Sequence, residues 1–309
     1  MALSLNGMMR RTLLAASRSP GLSRWVRRYG RFAAYRFVAG ETLDECVQAL
    51  HRLNEAGFKT NTTLLGEGVR DAATATSVTN TYRQVLDRLA SEKLGTNLAV
   101  KLTHLGQDMG EEVAAGNLTT LVAHAGHLGN FVRVDMEESA RVDATLRIYR
   151  RLRQAGYDNV GTVLQAYLYR TEQDLCTLLP LRPNLRLVKG AYLELPAVAF
   201  PSKADVDRNY VHLMELMLHG GGYTAIATHD DRIIDHAIEY VHRHSIGRER
   251  FEFQMLYGVR PRLQQDLVRR GYMVLVATPF GAEWFPYFMR RLAERPANLL
   301  FVLRNLLRR

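Results

Sequence analysis

The chain has 309 residues, enough for one large domain or two ordinary ones, and its 47% hydrophobic and 23% charged content excludes a disordered or fibrous protein. No apolar run reaches the roughly 18 to 20 residues that cross a bilayer, which excludes a helical integral membrane protein. A formal charge of +10 suggests a nucleic-acid partner, but eight arginines and no acid precede Glu41, and without them the basic excess almost vanishes.

Residues 1–55 read as an N-terminal helical segment and residues 56–309 as the main domain. The start of the segment is rich in Arg, Ser, Leu and Ala, with Trp25 and Phe32 interleaved among the arginines. That composition suits a mitochondrial transit peptide, a membrane-surface amphipathic helix, or cationic helices packed on the end of a barrel and broken at Pro20 and Gly21. Cys46 and Cys176 are isolated, so neither a disulfide framework nor a zinc-thiolate site is expected. A reducing cytoplasm fits, with both thiols as inert packing groups in helices.

Beyond residue 55 one theme repeats: a short β-rich apolar run, a turn, then a longer helical stretch. Strands are predicted near Thr60–Leu65, Leu98–Leu102, Phe131–Met136, Val160–Ala166, Leu185–Lys189, Thr224–Thr228, Phe251–Gln254 and Met273–Ala277. Helical patterns fall between them, including Val78–Leu94, Glu138–Ala155, Ala204–His219, Arg232–Arg243 and Arg262–Arg270, with Gly156 and Gly271 at expected helix C-caps. Eight such alternations predict a single-domain α/β fold, a (β/α)₈ TIM barrel, with a doubly wound sheet as the alternative. The nucleotide signatures of that alternative are missing, since Gly66-Glu67-Gly68 lacks a third glycine and reads as a turn. His219-Gly220-Gly221-Gly222 likewise reads as a turn before the sixth strand.

Barrel chemistry lies at the C-terminal ends of the strands. The polar residues there are Lys101, Asp135, Gln165, Lys189 and His229, with Arg186 inside the fifth strand. Only five of the 41 basic residues are lysines, and two of them stand at strand ends, where a compact point charge suits a carboxylate, a phosphate or a Schiff base. In the last helical stretch Tyr287, Arg290, Arg291 and Glu294 share one face. Paired arginines there offer a planar grip on a carboxylate or phosphate, with Glu294 able to hold one guanidinium.

These residues carry a resemblance. Arg186-Leu-Val-Lys-Gly-Ala-Tyr192, Ala227-Thr-His229, Phe253-Gln-Met-Leu-Tyr-Gly258 and Tyr287-Phe-Met-Arg-Arg-Leu-Ala-Glu294 resemble the motifs of monofunctional bacterial proline dehydrogenases, which are FAD-dependent. The resemblance runs from about Phe37 to the C-terminus and includes Leu65-Gly-Glu67, Lys101, Asp135-Met136 and Val163-Leu-Gln165.

It implies a distorted (β/α)₈ barrel whose C-terminal helix binds substrate. FAD would lie over the strand ends, with Arg186 near its reactive nitrogen and Met136, Gln165, Lys189, Gly190, Ala191, Thr228 and His229 around it. Lys101, Arg290 and Arg291 would hold the substrate carboxylate, Asp135 would orient the polar network, and Tyr192, Leu256 and Tyr287 would wall the pyrrolidine ring. The implied reaction is hydride transfer from proline to flavin, giving a cyclic imine carboxylate, the first step of proline degradation. A quinone acceptor is implied at the inner face of the membrane, to which the basic N-terminus would dock a cytoplasmic enzyme. One departure stands out: the family's tyrosine two residues before the proline of the P-x-G turn is Ala277 here. The lost phenol opens the pocket to a larger or 4-hydroxylated ring, with Thr278 as a replacement donor.

Three other readings remain open on the residues alone. A Schiff-base aldolase would use Lys189. A membrane or nucleic-acid binder would act through the basic N-terminus. A metal-dependent hydrolase ranks lowest, because His124/His127 and His242/His244 fall in helices or loops and His229-Asp230-Asp231 supplies too few ligands, so no metal is expected.

Overall fold

The structure is a computed structural model that describes residues 34–294, with side chains to residue 292. The basic run before residue 34 and the Glu294 side chain lie outside the described residues.

Eight parallel strands close into a barrel in chain order: β1 (Lys59–Leu64), β2 (Thr96–Val100), β3 (Val132–Val134), β4 (Val160–Gln165), β5 (Asn184–Val188), β6 (Tyr223–Ala227), β7 (Phe251–Leu256) and β8 (Val274–Phe280). The described helices are α1 (Leu43–Glu55), α2 (Ala72–Ser91), α3 (Glu111–His127), α4 (Val142–Gln154), α5 (Thr171–Leu178), α6 (Lys203–His219), α7 (Asp231–Arg243), α8 (Pro261–Arg269) and α9 (Trp284–Glu294). Closure comes from β8 pairing with β1, in register from Lys59 with Leu275 to Leu64 with Phe280. This is the expected (β/α)₈ barrel, and the doubly wound sheet is excluded.

Local chemistry explains the differences in element bounds. Helix α2 starts at Ala72, before the expected Val78, because the Asp71 carboxylate accepts the Thr74 N–H at 2.8 Å and caps it. Strand β3 keeps only three residues of the expected Phe131–Met136 run. Strand β8 instead continues past Ala277 to Phe280. Pro279 has no N–H to give, but its carbonyl accepts from Ala39 N at 2.8 Å, and the Phe280 carbonyl accepts from Leu65 N at 2.7 Å. Helix α1 opens with a capping box in which Thr42 and Glu45 exchange bonds.

Strand residues alternate between two environments. Leu98, Val100, Val132, Val134, Leu185, Leu187, Phe253, Met255, Val274 and Val276 face outward into one buried apolar cluster shared with the helices. Each fully buried leucine there contributes roughly 1.5–3 kcal/mol relative to exposure. A smaller cluster joins Phe37 and Val38 to Trp284, Phe285, Phe288 and Met289, and Trp284 Nε1 donates to Glu41 Oε1 at 2.8 Å. These contacts seat α9 over the barrel. Cys46 is buried against Thr62, as expected of a packing thiol, and burial pushes it up to about 12. Cys176 corrects the expectation: it lies on the exposed side of α5, outside the buried core.

The inward face is polar, whereas barrels of this kind are usually filled with Val, Ile and Leu. Arg133 of β3 is 3% exposed. It reaches across to β5, donating through Nη1 to the carbonyls of Asn184 (2.7 Å) and Thr162 (3.1 Å), and through Nη2 to Asn184 Oδ1 (2.5 Å). Gly161 makes the room, because a Cβ there would stand 2.5 Å from both Arg133 Nη1 and the Asn184 carbonyl oxygen. Burial first, then Arg186, pulls the Arg133 guanidinium down to about 9.

Candidate active site

The C-terminal mouth gathers groups from β2, β3, β5, β7, α9 and the loops that follow the strands. Arg186 projects inward from β5 and is held on two sides. Its Nη1 donates to Asp135 Oδ1 at 2.8 Å and its Nε to Gln254 Oε1 at 2.5 Å. The third nitrogen, Nη2, is buried and has no hydrogen-bond partner among the described residues. An unsatisfied buried guanidinium donor costs free energy and is expected where a bound group completes the set.

Beside it stands a second cationic group. Lys101, just past β2, and Arg290, on α9, both hold the Glu67 carboxylate, Lys101 Nζ at Oε2 and Arg290 Nη1 at Oε1 (3.1 Å). Burial works to raise the Glu67 acid, but the two cations outweigh it and bring it down to about 2. Arg291 lies against Tyr287, its guanidinium carbon 5.0 Å from the ring centroid. Tyr192 is half-buried nearby, and its phenol is pushed up by burial and then by the charges of Glu137 and Glu67.

Leu256 and Ala277 are register partners in the β7–β8 ladder, and Ala277 also partners Asn61 of β1. The missing phenol therefore falls beside Leu256. Thr278 is not its replacement: it occupies the opposite face of β8, is 1% exposed, and its hydroxyl donates to the Val276 carbonyl at 3.0 Å.

The remaining expected residues are fixed as follows. Gln165 and Met136 are buried, and Gln165 Nε2 donates to the Glu137 carbonyl at 2.7 Å. Thr228 is buried and its hydroxyl accepts from Asp230 N at 3.1 Å. His229 Nε2 accepts from Leu256 N at 2.9 Å, so this ring pins the β7 end and presents a neutral nitrogen there. Gly190 sits against the Tyr167 ring and Ala191 is exposed. Lys189 is not an available amine: its ammonium donates to Asp207 Oδ1 (2.5 Å) and Asp230 Oδ2 (2.9 Å). A Schiff-base role needs a neutral, unengaged lysine, so the aldolase reading loses its nucleophile. Among the described residues no cluster of three or more His, Cys, Asp or Glu forms a metal site.

Several site residues escaped sequence reasoning. Glu67 stood in a turn and in the Leu65-Gly-Glu67 stretch of the resemblance but without a role, and its partnership with Lys101 and Arg290 spans 34 and 223 positions. Gln254 stood inside a quoted motif without a role. Glu137 binds Thr103 through both carboxylate oxygens, to N at 3.1 Å and Oγ1 at 2.7 Å, and had no signal. Asp207 on α6 was equally silent.

Comparison with known proteins follows the same outline. A family model described as proline dehydrogenase matches residues 46–304. Proline dehydrogenase 1 of Bacillus subtilis (strain 168) is 42% identical over 303 residues, which cover 98% of this chain and all of that protein. Proline dehydrogenase of Deinococcus radiodurans is 41% identical over 308 residues, 98% of this chain and 99% of that one. Among solved structures, proline utilization A (PutA) from Bdellovibrio bacteriovorus, inactivated by N-propargylglycine, superposes with a TM-score of 0.83 at 24% identity. The match covers 94% of this chain and 37% of that larger one, and speaks for the fold. With a barrel closed in the same way and matches along nearly its whole length, the chain belongs to the proline dehydrogenase family.

Proposed function

We propose that the protein oxidises L-proline in proline degradation, with FAD as its cofactor. The observation that carries the reading is the meeting of Lys101 and Arg290 on one carboxylate, that of Glu67. Two cations, one just past β2 and one on α9, that converge on a carboxylate-sized point are what recognition of an amino-acid carboxylate requires, with Arg291 alongside.

The residues fit the cofactor. Arg186 Nη2 is a buried donor without a partner among the described residues, and Asp135 and Gln254 fix the rest of its guanidinium. Arg186 would hold FAD together with Met136, Gln165, Lys189, Gly190, Ala191, Thr228 and His229. When bound, FAD supplies the hydride acceptor. The chain's own residues do the positioning. The cations hold the carboxylate, while Tyr192, Leu256 and Tyr287 wall the ring so that its C–H bond adjoining nitrogen is aimed; tight orientation supplies several kcal/mol of barrier lowering. The amine must shed its proton first, and a cation-rich mouth favours the neutral form.

Ala277 beside Leu256 supports a pocket that also accepts a ring-substituted proline such as 4-hydroxyproline. The test compares flavin reduction by L-proline and hydroxyproline in the native chain and in Ala277→Tyr; unchanged selectivity refutes this part. A quinone acceptor at the membrane surface completes the proposal, supported by the eight arginines before Glu41. Truncating that run should weaken salt-sensitive binding to anionic liposomes and spare proline-dependent flavin reduction. No described helix is long and apolar enough to cross a membrane.

A further inference from the structure

We propose that Glu252 is a positioning residue for Arg186, acting through Gln254, and that this chain of bonds strengthens the preference of the barrel for reduced over oxidised flavin. The inference rests on the FAD reading above.

Glu252 is a buried acid inside the barrel, 5% exposed, and no step of the proposed reaction uses it. It lies two residues before Gln254 on the inward face of β7. Gln254 Nε2 donates to Glu252 Oε1 at 2.5 Å, and Gln254 Oε1 accepts from Arg186 Nε at 2.5 Å. A primary amide has one accepting and one donating end, and Glu252 Oε1 takes the donating one, which determines how Gln254 is turned. The accepting end is thereby left for Arg186.

With Nε on Gln254 and Nη1 on Asp135, the guanidinium plane is set from both sides and Nη2 is the donor that remains. Burial pushes the Glu252 acid up, opposed by the hydrogen bond from Gln254, the charge of Arg133 and the contact with Tyr223. Positive charge held close to a flavin stabilises its electron-rich reduced state. If the amide is free to flip, its NH₂ faces the Nε–H of Arg186, two donors oppose each other, and the cation loses its fixed aim.

The test is an anaerobic spectroelectrochemical titration of the flavin-loaded enzyme as wild type, as Glu252→Gln, and as the double swap Glu252→Gln with Gln254→Glu. In the single variant we expect an about tenfold loss of preference for the reduced flavin, a shift of about 30 mV to more negative potential for a two-electron couple. KM for proline should stay put, because Lys101, Arg290 and Arg291 are untouched. In the swap, the new amide at position 252 donates to the new carboxylate at position 254, which accepts from Arg186 Nε, and the wild-type potential should return.

An unmoved potential in Glu252→Gln, with only a lower melting temperature, would make Glu252 a plain structural brace and overturn the inference. Should that variant fail to retain flavin, the swap decides: a wild-type potential supports the inference and a displaced one overturns it. A colourless wild-type protein would refute the FAD reading itself, whereas a yellow, proline-reducible protein with an unmoved potential refutes only this step.

Discussion

Replacing Lys101 by methionine keeps the length of the side chain and removes the ammonium. The side chain is only 20% exposed, so its charge is weakly screened and its loss is felt at the site. Glu67 then keeps Arg290 alone at 3.1 Å, and that arginine becomes more committed to Glu67 and less to an incoming carboxylate. A hydrogen bond to a charged group contributes roughly 1.5–3 kcal/mol, and each 1.4 kcal/mol is about a factor of ten, so KM for proline should rise about 10- to 150-fold. Because the carboxylate is bound alike before and during hydride transfer, kcat should change much less. Steady-state proline oxidation with an artificial electron acceptor, over a wide proline range, measures both constants. A KM within threefold of wild type, or a loss confined to kcat, would refute the assignment of Lys101 to the carboxylate.

Three further outcomes are expected. Gly161→Ala forces Arg133 off Asn184, adding overpacking of about 1–3 kcal/mol to the lost buried bonds, and should lower the melting temperature by on the order of 5 °C or more in calorimetry; an unchanged melting temperature would contradict the packing described. Burial and then Lys101 hold the His104 imidazole down to about 4, so the unfolded chain, titrating near 6.5, takes the proton first. The stability His104 lends is therefore present above about pH 6.5 and lost as pH falls toward 4, a difference of about 3 kcal/mol for so buried a group. Urea unfolding at several pH values should show a shallower slope across that window in His104→Gln, and an identical slope would contradict the shift. Finally, a thiol reagent should label Cys176 in the native protein and reach Cys46 only after unfolding; two equally fast thiols would contradict the burial of Cys46.

The barrel was legible because its outward face obeys a simple rule. Runs such as Leu98–Val100 and Val132–Val134 bury apolar groups against helices, and eight runs alternating with helical periodicity leave few topologies open. The interior was not legible in the same way. Arg133, Glu252 and Gln254 look like ordinary polar strand residues, and only closure shows that they face one another across an enclosed space. The mouth was partly legible: strand-end position picked out Lys101, Asp135 and Gln165, and helical spacing picked out Arg290 and Arg291. Glu67 belonged to a turn and to the resemblance yet had no legible role, because its partners lie far away in sequence. Thr278 was misjudged as a pocket donor for a local reason: β8 continues past Ala277, so alternation turns the next side chain outward.

The most direct measurement of the central claim is the anaerobic absorbance spectrum of the purified protein before and after L-proline is added. A flavin spectrum that bleaches with proline, and does so poorly in Lys101→Met at low proline, is the predicted result. A colourless protein, or a bound flavin indifferent to proline at any concentration, would contradict it.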